Sequence, residues 1–275
     1  MSDDTLQPPN APESDGADVG GGQALPPATA SGDGDRLGRN VATEVVGTVI
    51  VMLFGPGLIV LSDGRIGELE AALGFGVGVA VAIGLIGAVA NPAFTLALFV
   101  VREVSLREAV GDWVGQVIGG IAGGAIIWGI NDQTRAAVGA SGWDRGELSE
   151  LGSVMAAELV FGVVVVVVLL AAVGQGFSQA AIAGFTGAAV MVAHLALLGI
   201  DGGGLNPARS LGSAIFSDVD PNALGQLWPF VVVPLVAAVA AVFVWLLVDD
   251  AEIDDTIFDE TFLDDAQNAV TGDAN

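Results

Sequence analysis

The chain of 275 residues contains no cysteine, no lysine and a single histidine. Without cysteine it has neither disulfides nor thiol ligands for a metal. Charged residues make up only 15% of the chain, and the basic ones are eight arginines set against 32 Asp and Glu. The sequence shows no cluster of metal ligands, no nucleophile constellation and no cofactor-binding loop. We therefore expect no enzymatic activity, no metal and no cofactor.

Long apolar runs dominate what is present. Hydrophobic residues make up 53% of the chain, and the mean hydropathy is +0.70. A helix needs about 20 apolar residues to cross a membrane. Six runs have this length: 41–61, 70–89, 109–130, 152–173, 179–199 and 226–248. A soluble helical bundle would need polar faces on these helices, and the run VVVVVVLLAAV has none. The sequence predicts an all-α, multi-pass membrane protein.

Both ends of the chain are acidic and poor in aliphatic residues. Seven acids lie in 1–35 and ten in 249–275. We expect 1–38 and 249–275 to be disordered tails of a membrane domain at 39–248. Such a surface is found in nucleic-acid mimics and interaction tails, but a salt-rich cytoplasm explains it better, because salt screens repulsion between carboxylates. The composition thus predicts a halophilic source and no nucleic-acid partner.

The arginine positions predict the orientation, because cytoplasmic loops carry an excess of basic residues. Four arginines fall on the side of the membrane that holds the chain ends, and three on the other: Arg36, Arg39, Arg102 and Arg107 against Arg65, Arg135 and Arg145. With an even number of spans, this bias places both termini in the cytoplasm of a cell-membrane protein.

The tripeptide Asn-Pro-Ala occurs twice, each time after an apolar run. Asn91-Pro92-Ala93 begins 47 residues after Glu44, and Asn206-Pro207-Ala208 begins 48 residues after Glu158. Both glutamates fall early in an apolar run, and each half of the chain contains three runs. Because three is an odd number, the second half must enter the membrane from the opposite side. This is an inverted 3+3 repeat, whose functional site lies near the midplane.

Each Asn-Pro-Ala predicts the start of a helix, since Asn is a favoured N-cap and Pro a favoured first residue. The stretches 92–101 and 207–216 are about 15 Å long as helices, half the hydrocarbon thickness. The repeats, 39–130 and 150–248, would each contribute one re-entrant half-helix, and the two would meet at their N-termini. We expect each capping Asn to keep its NH₂ free to bind a passing water, and the helix dipoles to disfavour cations and protons.

Glycines recur at four-residue spacing in the third run, at Gly115, Gly119 and Gly123, with Gly120 and Gly124 beside them. Small residues on one helical face let backbones approach closely in a membrane. The pattern predicts close helix packing.

The two motifs, the paired glutamates and the string NPARS at 206–210 together resemble the aquaporin (major intrinsic protein) family over about 40–248. The resemblance implies six transmembrane helices, two half-helices and a homotetramer with one pore in each subunit. It also implies that Glu44 and Glu158 are buried structural acids that hold the re-entrant loops.

Four residues match the selectivity-filter positions of that family: Phe75, His194, Gly203 and Arg209. An arginine at membrane depth costs about 2.5–3.5 kcal/mol unless it faces water or a partner. Arg209 and His194 therefore make best sense lining a wet constriction. The resemblance implies a passive channel that conducts water in single file and excludes ions and protons.

Several positions depart from the water-channel pattern. The loop Gly87-Ala88-Val89-Ala90 is short, Gly203 offers no side chain and would widen the filter, and Val231 is aliphatic as in glycerol facilitators. His194 and Ser210 speak against glycerol. Water is the favoured solute, with glycerol or another small neutral solute as the alternative.

Two other classes of membrane protein share some of these features. An ion-coupled secondary transporter also has inverted repeats and broken helices, but needs ionisable residues for its coupling ion near the midplane. The sequence offers none beyond Glu44, Glu158, His194 and Arg209. A purely structural junction protein would not need the complete set of filter residues.

Overall fold

A computed structural model of the chain describes residues 33–131, 138–144, 150–249 and 256–258. Within these ranges six helices are long and apolar enough to cross a membrane, and no strand occurs: Leu37–Leu61, Glu68–Ile86, Leu106–Ile130, Leu151–Gly174, Gln179–Asp201 and Pro229–Val248. The six predicted spans are confirmed.

The helices in chain order are α1 (Asp33–Met52), α2 (Leu58–Leu61), α3 (Glu68–Val81), α4 (Pro92–Val100), α5 (Leu106–Ile130), α6 (Leu151–Gly174), α7 (Gln179–Asp201), α8 (Pro207–Phe216) and α9 (Pro229–Val248). A π-helical turn, Leu53–Gly57, joins α1 to α2 and contains Pro56. Proline lacks an N–H and cannot continue a regular α-helical ladder, which accounts for the wider turn. A second π-helical turn, Ala82–Ile86, ends the span that begins with α3.

The short helices α4 and α8 begin at the two Asn-Pro-Ala motifs, and each is only nine or ten residues long. Helices of that length cover about half of the hydrocarbon thickness. The predicted half-helices at 92–101 and 207–216 are thus present, together with the inverted 3+3 arrangement.

Glycine allows α5 to pack tightly on two sides. A Cβ atom at Gly119 would lie 2.6 Å from the carbonyl oxygen of Val45 in α1. One at Gly120 would lie 2.3 Å from the carbonyl oxygen of Ala208 in α8. Only glycine fits at either contact, so the glycine pattern of this helix serves close packing, as predicted. It seats the half-helix α8 against its neighbours.

The ends of the membrane domain differ from the predicted boundaries. Helix α1 begins at Asp33, so 33–38 is helical although it was assigned to the N-terminal tail. Near the other end, the N–H of Ile257 donates to the carbonyl oxygen of Val100 at 2.9 Å. The ring of Phe258 stacks on Phe243 with 5.4 Å between centroids. Part of the predicted C-terminal tail therefore packs on the bundle, because it carries apolar side chains among its acids.

Residues 1–32, 250–255 and 259–275 of the predicted tails lie outside the described residues, as do Arg135 and Arg145.

Candidate functional site

The two asparagines of the repeated motif cap the half-helices. Asn91 has extended backbone, and its Oδ1 accepts the N–H of Ala93 at 2.9 Å. Oδ1 of Asn206 accepts the N–H groups of Ala208 and Arg209, both at 3.1 Å. Pro92 and Pro207 follow as the first residues of α4 and α8. Each motif starts its helix as its chemistry predicts.

The sequence predicts that the NH₂ groups of both asparagines are free, but each of them makes one hydrogen bond. Nδ2 of Asn91 donates to the carbonyl oxygen of Leu205 at 3.1 Å. Nδ2 of Asn206 donates to the carbonyl oxygen of Ala90 at 2.7 Å. Each amide therefore uses one N–H to tie the opposite loop, and an NH₂ group has a second N–H. These hydrogen bonds could not be predicted, because the repeat pattern does not show how close the two loops come.

The paired glutamates hold these loops. Glu44 accepts the N–H groups of Val89 and Ala90 at 2.7 and 2.8 Å. Glu158 accepts those of Gly204 and Leu205, both at 2.7 Å. Both acids are buried.

The loops that they hold are strained at one equivalent residue. Ala90 and Leu205 have positive φ, 54° and 55°, which residues other than glycine seldom adopt. Each glutamate therefore stabilises a strained turn just before an Asn-Pro-Ala motif.

Three of the four predicted filter residues form one stack. The rings of Phe75 and His194 lie parallel within 20°, with 3.8 Å between centroids. Cζ of Arg209 lies 5.2 Å from the centroid of the Phe75 ring. A hydrogen bond within α7 fixes the imidazole of His194. Its Nδ1 lies 2.9 Å from the carbonyl oxygen of Val190 and must be the donor, because a carbonyl oxygen can only accept.

Gly203, the fourth predicted filter residue, does not widen the constriction. Its φ is +68°, and a Cβ there would lie 2.5 Å from Cδ2 of His194. The missing side chain is what makes room for the imidazole, so the expectation of a wider filter is wrong. A larger residue would push the ring off Phe75.

Arg209 is almost wholly buried and held by two partners that the sequence analysis did not name. Its Nη1 donates to Oγ of Ser141 at 2.5 Å, and its Nη2 donates to the carbonyl oxygen of Gly202 at 3.0 Å. Its Nε has no hydrogen-bond partner within the described ranges. A buried unpaired donor is rare in proteins. Arg209 also lines a cavity together with other predicted filter residues.

That cavity is narrow and joins the filter to the motifs. Its lining includes Phe75, His194, Arg209, Asn91 and Asn206. The volume of the cavity is about 20 Å³. One water needs about 10–15 Å³ by the same measure. The cavity therefore has room for about one water molecule.

No group of three or more His, Asp or Glu side chains among the described residues could hold a metal ion.

The model of a protein family described as Major intrinsic protein matches residues 35–245 of the chain. The chain belongs to the major intrinsic protein family. It is an all-helical MIP channel with six spans and two half-helices.

The relatives of this MIP channel include proteins named as aquaporins and one named as a glycerol facilitator. Aquaporin Z of Brucella melitensis is 32% identical over 221 residues, covering 75% of this chain and 96% of the relative. Glycerol uptake facilitator protein-like 6 of Lactiplantibacillus plantarum is 30% identical over 214 residues, covering 74% and 95%. The solved aquaglyceroporin of Plasmodium falciparum has the same fold, with a TM-score of 0.67 at 20% identity over 78% of this chain and all of that one.

Sequence reasoning missed the residues of the MIP channel that support the named ones. Gln116 donates to Oε2 of Glu44 at 2.9 Å and to Oγ1 of Thr95 at 2.8 Å, which links the first loop to α4. Ser141 accepts a hydrogen bond from Arg209 and lies on a separate loop. The available signal was a polar side chain in an apolar helix for Gln116, whereas nothing in the sequence points to Ser141.

Proposed function

We propose that this MIP channel conducts water in single file and excludes ions, protons and glycerol. The stack of His194 on Phe75, with Arg209 over the same ring, is the observation that carries the proposal. The ring-to-ring distance of 3.8 Å leaves no gap between two of the filter side chains. Solutes must pass on the side where the guanidinium lies.

The size of the cavity at the proposed filter favours water over glycerol. The open volume of about 20 Å³ is close to what one ordered water needs. Glycerol has three carbons and three hydroxyl groups, so it needs a wider opening than the stacked rings leave. Widening the filter would require His194 to leave Phe75, yet Val190 and Gly203 confine that ring.

Polar groups at the constriction suit water as a ligand. Each asparagine amide has a second N–H, whose hydrogen bond a water oxygen can accept. The N-termini of α4 and α8 both face the midplane, and each carries about half a positive charge. Together with Arg209, they make entry of a cation unfavourable in a site with little water.

A glycerol facilitator is the second candidate. The relative named as a glycerol uptake facilitator is 30% identical, nearly as similar as the Aquaporin Z relative at 32%. Val231 is aliphatic, as in facilitators. The filter geometry outweighs both points, because solute size is decided where the pore is narrowest.

We also infer the setting of the channel. The domain at 39–248 would assemble as a homotetramer in the cell membrane, with both termini in the cytoplasm. The apolar outer faces support a membrane-embedded oligomer, and the arginine positions support the orientation. The excess of 32 acids over eight arginines supports a salt-rich cytoplasm.

Stopped-flow light scattering on proteoliposomes tests the proposal. Vesicles are exposed to an osmotic gradient of sucrose, which reports water efflux, and then to one of glycerol, which reports re-swelling. We expect fast water efflux with a low activation energy, and glycerol entry no faster than in empty liposomes. Glycerol re-swelling well above that of empty liposomes would favour the facilitator.

A further inference from the structure

Asp201 is a buried acid next to the proposed filter. It is the last residue of α7 and only 5% exposed. Carboxyl groups at membrane depth are costly and usually functional. Its contacts lead to the filter arginine by two separate routes.

The first route passes through one peptide plane. Oδ1 of Asp201 accepts the N–H of Gly203 at 2.7 Å. The carbonyl of Gly202 belongs to the same peptide group and accepts from Nη2 of Arg209 at 3.0 Å. A peptide group is rigid and planar, with its N–H and C=O pointing in opposite directions. The carboxyl therefore sets the angle of the carbonyl that holds the guanidinium.

This peptide needs such a fixed point, because both glycines have positive φ, 84° at Gly202 and 68° at Gly203. Glycine has unusually many accessible conformations, so a pair of glycines does not hold a peptide plane by itself. The carboxyl of Asp201 supplies the missing constraint from the rigid end of α7.

The second route passes through the loop at 138–144. The carbonyl oxygen of Asp201 accepts the N–H of Gly142 at 2.9 Å. The neighbouring residue Ser141 accepts from Nη1 of Arg209. Both described hydrogen bonds of the guanidinium thus lead back to Asp201, one through its side chain and one through its backbone.

Glu158 is the second buried acid beside this loop, since its carboxyl accepts the N–H groups of Gly204 and Leu205, both at 2.7 Å. Oδ2 of Asp201 has no hydrogen-bond partner among the described residues. An asparagine at 201 would therefore keep the Oδ1 contact with the N–H of Gly203 without breaking another described hydrogen bond of the side chain.

We propose that Asp201 is a positioning residue of the filter, which sets solute selectivity by fixing the Gly202–Gly203 peptide and through it Arg209. This rests on the proposed filter role of Arg209. The carboxyl does not touch the solute. Its removal would leave the pore open but let the guanidinium move away from the ring of Phe75, which widens the passage.

The test compares Asp201→Ala, which removes the acceptor, with Asp201→Asn, which keeps Oδ1 for the N–H of Gly203. Asp112→Ala is the matched control, because Asp112 is a buried acid of α5, 7% exposed, that belongs to the other repeat. The readout is the ratio of glycerol to water permeability in proteoliposomes, which does not depend on the amount of inserted protein. Hydrogen exchange of the segment 202–209, followed by mass spectrometry, reports the mobility of the loop.

We expect Asp201→Ala to raise the glycerol-to-water ratio roughly tenfold, the factor that corresponds to the loss of one hydrogen bond. Its segment 202–209 should exchange faster. Asp201→Asn and Asp112→Ala should keep the ratio and the exchange of the parent protein.

A parental ratio in Asp201→Ala would overturn the proposal. So would a ratio in Asp201→Asn as high as in the alanine variant, because the retained oxygen would then not matter. If Asp112→Ala raised the ratio equally, the effect would belong to any buried acid. Should the parent itself conduct glycerol, the proposed water selectivity fails, whereas faster exchange confined to Asp201→Ala would still support the positioning role.

Discussion

Asn91 and Asn206 each hold their own half-helix with Oδ1 and the opposite loop with Nδ2. The two cross-links, 3.1 Å to the carbonyl of Leu205 and 2.7 Å to that of Ala90, are related by the inverted repeat. Because the accepting residues immediately precede the two asparagines, each repeat fixes the turn that starts the half-helix of the other. The two loops are therefore cross-linked in both directions, and we expect a substitution at either asparagine to disturb both half-helices.

Removing the two polar filter side chains should open the channel to larger solutes. In the double variant His194→Ala, Arg209→Ala, the ring stacked on Phe75 and the fixed charge over it are both lost. We expect glycerol and urea fluxes to rise several-fold in stopped-flow assays, with water flux retained. Unchanged exclusion of both solutes by a folded, inserted double variant would contradict the filter assignment.

Helix α5 offers a matched pair of glycines for a test of packing. Gly120→Ala would place a Cβ 2.3 Å from the carbonyl oxygen of Ala208, where the backbone of α8 must move. Overpacking of this kind costs about 1–3 kcal/mol. We expect a lower midpoint of thermal unfolding in detergent and weaker water conduction. Gly129 lies on the same helix, but a Cβ there would meet no packing neighbour within 4 Å. Gly129→Ala should therefore unfold no earlier than the parent. Equal midpoints for both variants would exclude this contact as a stability determinant.

The sequence predicted the parts of the structure that rest on local chemistry. Apolar run length predicted the six spans, and Asn-Pro predicted the helix starts at Pro92 and Pro207. The repeated glutamates were matched to the re-entrant loops through family resemblance, and both do bind them.

What could not be predicted depends on distances between segments remote in sequence. The bond from Asn206 to Ala90 spans 116 residues, and that from Arg209 to Ser141 spans 68. Gly203 is a further example. From the sequence, its missing side chain suggests a wider pore, but in the structure His194 occupies the space that a side chain would fill. Only the structure shows which neighbour occupies a vacated volume.

The two tails should differ in their effect on the channel. Deleting 1–32 should leave water permeability and thermal stability unchanged at high salt, since its acids are screened there. Deleting 250–275 removes the bond from Ile257 to Val100 and the stacking of Phe258 on Phe243. We expect that deletion to lower stability by about 1–2 kcal/mol, the value of one hydrogen bond and one aromatic pair, with permeability per channel unchanged.

A thermal melt of both truncations, paired with stopped-flow at high salt, measures this. Phe258→Ala in the full chain is the narrower variant and should show part of the destabilisation. A several-fold change in permeability of either truncation would show that a tail takes part in gating.

The capping and donor roles of Asn206 should separate in two substitutions. Asn206→Asp keeps an oxygen for the N–H groups of Ala208 and Arg209 but replaces Nδ2 with an acceptor that faces the carbonyl of Ala90 at 2.7 Å. The repulsion of two acceptors should cost some stability, offset because a carboxylate at a helix N-terminus is favourable. Asn206→Ala loses the cap, which costs about 1 kcal/mol, and leaves the carbonyl of Ala90 without this donor.

The negative charge in Asn206→Asp lies where the N-termini of α4 and α8 meet, and it should cancel much of the barrier to cations there. We expect this variant to leak protons or small cations in liposomes loaded with a pH-sensitive dye, and Asn206→Ala to give poor yield but remain tight. Asn222→Asp is the matched control, because Asn222 also accepts a backbone N–H with Oδ1, that of Gly225 at 3.0 Å, but does so in an exposed turn. It should be as tight as the parent. If Asn206→Asp were equally tight, the midplane dipoles would not form the barrier, and exclusion of cations would depend on Arg209 alone.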